Sequence, residues 1–181
     1  MIGWVVRPFF ALLTLIGLYA AVRSVHLLRS KHEPSPTVVG ELQVLGTRAL
    51  ESGDVPVASV LLYGDSIIGR GYNTVLRDGD AGGHAEVNAV SDAMAHLGNE
   101  AFGSLDREQL LLISTFEPCA MCRGMLLEYR IDRVSFIEPK SLWHWLKEDA
   151  RWLGYELTKT GSEPERLQDS LFRLHPAYPE R

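Results

Sequence analysis

His84-Ala85-Glu86, answered by Pro118-Cys119-Ala120-Met121-Cys122, is the pair of stretches on which the reading of this chain turns. One histidine and two cysteines are a zinc-ligand set, and three protein ligands are one short of the four in a closed structural site, which leaves a position for water. The chain has only two cysteines, both in this Cys-x-x-Cys. No partner therefore remains for a structural disulfide, and no second pair exists to complete a four-cysteine site. His84 is expected to supply the third bond. The same stretches predict local structure. Cysteines at i and i+3 in the first turn of a helix share one face, proline suits a helix start, and residues 110–114 (LLLIS) form the continuous apolar run of a strand covered on both faces.

Outward from there, apolar residues at Val38, Leu42, Leu45, Ala49 and Leu50 have helical spacing over residues 38–52. Residues 57–63 (VASVLLY) and 67–72 (IIGRGY) flank Gly64-Asp65-Ser66 and read as a β-hairpin. A loop rich in glycine and aspartate then leads to a helix over residues 84–97, stopped by Gly98-Asn99. Residues 102–107 read as loop, 119–129 as a helix, 134–137 as a fourth strand, 142–153 as a helix, 155–160 as a fifth strand and 165–174 as a closing helix. Alternating strands and helices predict a central sheet with helices on both faces.

The amino terminus, MIGWVVRPFFALLTLIGLYAAVRSVHLL, has no charged residue between Pro8 and Val22. With its flanks it reaches the roughly 20 residues of a spanning helix, and Arg7 and Arg23 can snorkel. The expected organisation is a membrane anchor over 1–30, a linker over 31–37 (KHEPSPT) and a catalytic domain over 38–181. A cleaved signal peptide and a buried helix are the alternatives. Arg23, Arg29 and Lys31 outnumber Arg7, so the flank carrying the domain is expected inside. Thiolate ligands also suit a reducing compartment. A single-pass protein with a cytoplasmic domain, bound to the membrane through residues 2–28, is the expected placement.

The formal net charge is −5, and without the four basic residues of the first 31 positions 14 basic side chains face 23 acidic ones, about −9 for residues 32–181. A protein that grips phosphates needs a basic face. Nucleic acid is therefore disfavoured as a partner.

The order H-x-E…P-C-x-x-C, filled here by His84, Glu86, Pro118, Cys119 and Cys122, is the signature of zinc deaminases. The chain resembles the cytidine/deoxycytidylate deaminase superfamily, over roughly residues 38–159, and its nucleobase and tRNA-adenosine branches in particular. The resemblance implies an α/β fold, a three-layer α/β/α sandwich around a central five-stranded mixed sheet, and one zinc per chain on His84, Cys119 and Cys122. It implies Glu86 as the catalytic acid-base and a role for Asn73 in binding the substrate. Ala85, Phe116 and Glu117, beside the ligands, are expected to contact the substrate with it. The helix start that carries the cysteines favours thiolate over thiol, and Glu86, two residues from His84, can move protons without ligating the metal. A small nucleobase or nucleoside is the expected substrate, and a homodimer is a possible assembly. A nucleic-acid deaminase and a catalytically idle zinc domain serving as a membrane-associated interaction module are the alternatives.

Overall fold

Hydrophobic alternation sets the middle of the fold. The computed structural model describes residues 14–22, 32–161 and 166–174. Strand β1 (Ala58–Tyr63) is followed by β2 (Ser66–Tyr72) through a two-residue turn in which Gly64 takes φ +57°, a conformation that favours glycine. Strands β3 (Leu110–Phe116) and β4 (Val134–Glu138) complete one sheet in the order β2-β1-β3-β4. The pairs β1/β2 and β1/β3 are antiparallel, and β3/β4 is parallel.

Side chains alternate across these strands. Ala58, Val60, Leu62, Leu111 and Ile113 face helix α1 (Pro36–Glu51), which buries Val38, Leu42 and Leu45 against them. Leu61, Leu110 and Leu112 form the opposite core. There they meet Ala89, Val90 and Ala93 of α3 (Ala85–Leu97), Phe102 of α4 (Asn99–Ser104) and Leu126 of α5 (Ala120–Glu128). A short helix, α2 (Val75–Asp78), joins β2 to the loop before α3, and its Leu76 and Arg77 N–H groups donate to the carboxylate of Asp54. The chain ends, among the described residues, with α6 (Leu142–Thr158) and α7 (Arg166–Arg173). Backbone contacts divide the chain into Met1–Trp145 and Leu146–Arg181, and the strands all lie in the first unit.

Several expectations are corrected. Among the described residues the sheet has four strands, because the stretch read as a fifth belongs to α6, which continues through Gly154 to Thr158. The membrane-spanning helix is not found among the described residues. Among the described residues no helix is long and apolar enough to cross a membrane. Of the amino-terminal stretch, residues 1–13 and 23–31 lie outside the described residues. The single-pass cytoplasmic placement and the membrane as partner fall with that helix. Helix α1 starts at Pro36, inside the expected linker, because Ser35 caps it: its hydroxyl accepts from the Val38 N–H at 3.4 Å and proline follows. Part of the expected loop over 102–107 is helical, held down by Phe102, which is buried against the ring of Tyr129.

Candidate metal and catalytic site

Two helix starts make the site. His84 is the N-cap of α3 and Cys119 the N-cap of α5, with Cys122 three residues further on the same face. Pro118 thus precedes the cap instead of opening the helix. The Sγ of Cys119 is 3.5 Å from His84 Nδ1 and 3.5 Å from Cys122 Sγ, and Cys122 Sγ is 3.6 Å from the same nitrogen. All three ligand atoms lie within 4.8 Å of one another, the one such group among the described residues. Bonds of about 2.0–2.3 Å to a tetrahedral ion would separate such atoms by about 3.4–3.8 Å, so the donor set fits zinc in identity and spacing.

Glu86 stands in the first turn of α3, and its Oε2 is 3.5 Å from Cys122 Sγ. It is 3% exposed, and burial is the main reason its carboxyl is held above the ordinary carboxylate range. The hydrogen bond with Cys122, then that with His84, pushes the Cys119 thiol down to about 3. The Cys122 thiol is raised, first by its bond to Cys119 and then by burial. Contact with Cys119 likewise raises His84. A bound cation would favour the thiolate form of both sulfurs.

The expected substrate contacts fall into two kinds. Asn73, 9% exposed, accepts the Ala85 N–H on its Oδ1 at 3.0 Å, so Ala85 is wholly buried with its N–H committed. Glu117 accepts the Lys140 N–H on Oε2 at 2.8 Å, and the Lys140 ammonium donates to the Pro118 carbonyl at 3.2 Å. Lys140 thereby holds the corner that leads into Cys119. Phe116, half-buried at the end of β3, meets His144 edge-to-face with centroids 6.3 Å apart.

Sequence reasoning missed Lys140, Asn88 and a pair of glycines. Gly69 and Gly71 alternate on β2 and so share one face, and α3 lies directly on it. A Cβ on Gly71 would collide with the Ala85 carbonyl oxygen and the Ala89 nitrogen, and one on Gly69 with the Ala89 carbonyl oxygen. The period-two glycines in Gly69-Arg70-Gly71 were the available signal. Lys140 gave none, and Asn88, within the stretch His84 to Val90 that resembles the family's motif, gave no sign of its role.

Residues 37–138 match the family model described as the cytidine and deoxycytidylate deaminase zinc-binding region. Among curated proteins, the chain is 39% identical over 105 residues to a tRNA(Ile)-lysidine synthase of Deinococcus radiodurans, covering 58% of this chain and 17% of that protein. It is 30% identical over 139 residues to the chloroplastic tRNA(adenine(34)) deaminase of Arabidopsis thaliana, covering 77% and 10%. A tRNA-specific adenosine deaminase of Buchnera aphidicola is 34% identical over 88 residues, covering 49% and 55%. The chain thus spans less than two thirds of each of these relatives. Among solved structures, guanine deaminase from Bacillus subtilis superposes with a TM-score of 0.61 at 24% identity, covering 82% of this chain and 99% of that one. This likeness shows the fold.

Proposed function

Since the chain belongs to the cytidine and deoxycytidylate deaminase zinc-binding family, we propose that it is a hydrolytic deaminase that replaces a ring amino group of a small nucleobase or nucleoside with oxygen. The observation that carries the reading is Glu86, buried 3.5 Å from a ligand sulfur and outside the ligand triad. His84, Cys119 and Cys122 would hold the zinc. When bound, zinc polarises a water so that it loses a proton near neutral pH. Glu86 would take the water's first proton and pass it to the ring nitrogen, then take the proton remaining on the attacking oxygen and pass it to the departing amine, so one water is consumed and one ammonia released. Its raised pKa suits a group that must both take and give. Asn73 orients the ring, Phe116 offers an apolar face to it, and Ala85 and Glu117 shape the site through the bonds they make to Asn73 and Lys140.

The acidic balance of the chain, 23 acidic against 18 basic side chains, supports a small substrate. Identity to tRNA adenosine deaminases supports a second reading, deamination of adenosine in tRNA. Ammonia release by the purified zinc-loaded protein from cytosine, guanine, adenine, their nucleosides and a tRNA transcript separates the two. Turnover of a free base or nucleoside is expected, and turnover of tRNA alone would overturn the small-substrate reading. Glu86→Gln is expected to keep its zinc and lose ~10²-fold or more in turnover. Activity within a few-fold of the parent would mean that another group carries the proton.

A further inference from the structure

Asn88 lies on α3 one turn past the zinc-ligand histidine. Its Nδ2 donates to the Tyr72 carbonyl at 2.8 Å and to the Thr74 hydroxyl at 3.2 Å, the residues on either side of Asn73. The backbone of that corner is tied down as well: the Asn73 N–H donates to the Val57 carbonyl and the Thr74 N–H to the Gly83 carbonyl. Asn73 then accepts the Ala85 N–H. Because the partner is an N–H, the accepting atom is the amide oxygen, and the NH₂ edge of Asn73 is the one left for a ligand. The reach of Asn88 depends on Gly71, since the absence of a Cβ there brings the end of β2 against the Asn88 backbone.

We propose that Asn88 is a positioning residue of the reaction: its carboxamide clamps Tyr72-Asn73-Thr74 so that Asn73 keeps its oxygen on Ala85 and turns its two N–H donors toward an acceptor atom of the substrate ring. Alanine at this position removes both donors. Aspartate would set a carboxylate against the Tyr72 carbonyl. The inference rests on the deaminase reading for the identity of the ligand, whereas the clamp is a property of the chain alone.

The test is amide hydrogen exchange on the zinc-loaded full chain, read residue by residue, for the parent and Asn88→Ala. The Ala85 amide is expected to exchange about tenfold or more faster in the variant, while Val90 and Ala93 on the same helix keep their protection and one zinc per chain is retained. Unchanged exchange at Ala85 would show that Asn73 holds itself in place. Loss of protection along all of α3, or of zinc, would make Asn88 a pillar of the helix; either result overturns the proposal. Should Asn88→Ala not fold, Thr74→Val removes one of the two acceptors, and the same comparison at Ala85 decides. With an accepted base or nucleoside, Asn88→Ala should raise KM more than it lowers kcat. Its effect on kcat/KM should also vanish, within about twofold, in an Asn73→Ala background. Additive losses would count against the clamp. If no substrate is turned over, the exchange result stands and only the assigned activity fails.

Discussion

On the proposed reading Glu86 ferries protons, and its burial has a cost that can be measured. Its carboxyl titrates above the ordinary range in the fold, chiefly because of burial, and in the ordinary range when unfolded. Below the unfolded pKa both states are protonated and the group costs nothing. As the pH rises from the unfolded pKa toward the folded one, the unfolded chain ionises first and the penalty on the fold grows; above the folded pKa it stays constant. Glu86→Gln is therefore expected to raise Tm in the zinc-free protein at about pH 8, with the gain fading toward about pH 4. Chelator-treated melts of parent and variant across that range check it, and an equal or lower Tm for the variant at the upper end contradicts it. The ligands were legible in the sequence because so few side chains can bind zinc that type and spacing suffice. Asn88 and Lys140 were not, because each acts on a carbonyl, of Tyr72 or Pro118, that only the folded chain brings within reach.

Elements meet where side chains let them, and the approach of α3 to β2 is possible only because Gly69 and Gly71 present no Cβ. The atoms in the way are backbone oxygens and nitrogens of α3, which cannot rotate aside. Gly71→Ala should cost about 1–3 kcal/mol or more and, by lifting the start of α3, weaken zinc retention. Gly124→Ala is the counterpart within helix α5: nothing lies within 4 Å of the added Cβ. It should stabilise by about 0.5–1 kcal/mol. Denaturant midpoints for the two variants test the pair, and similar shifts in both would show that helix-strand proximity does not set the difference. Turn residues between two apolar stretches made the hairpin readable and a continuous apolar run did so for β3, but the strand reading failed at residues 155–160. Six residues are too few to separate the helical from the strand period, and Gly154, which lies between the two expected elements, has open space around it and is tolerated within α6 for about 1 kcal/mol.

At the scale of the molecule, the ligands close the fold on itself. His84 follows β2 at one edge of the sheet, whereas Cys119 and Cys122 follow β3 on the far side of β1. A metal bound by all three joins two strand-helix units that are otherwise held on this face by apolar packing. Zinc that binds the folded chain and not the unfolded one stabilises it by mass action, about 4 kcal/mol at a thousandfold excess over Kd. For a chain of 181 residues, 1 kcal/mol corresponds to about 2–4 °C in Tm, so removing the metal should lower Tm by roughly 8–16 °C. Adding zinc back should restore it. In the Cys119→Ala/Cys122→Ala variant the parent's response should disappear: the protein should melt near the chelated parent and be indifferent to both chelator and zinc. Differential scanning calorimetry with metal analysis of the same samples tests this. A parent that holds one zinc but melts within about 2 °C with and without it would show that apolar packing alone carries the joint between the two halves.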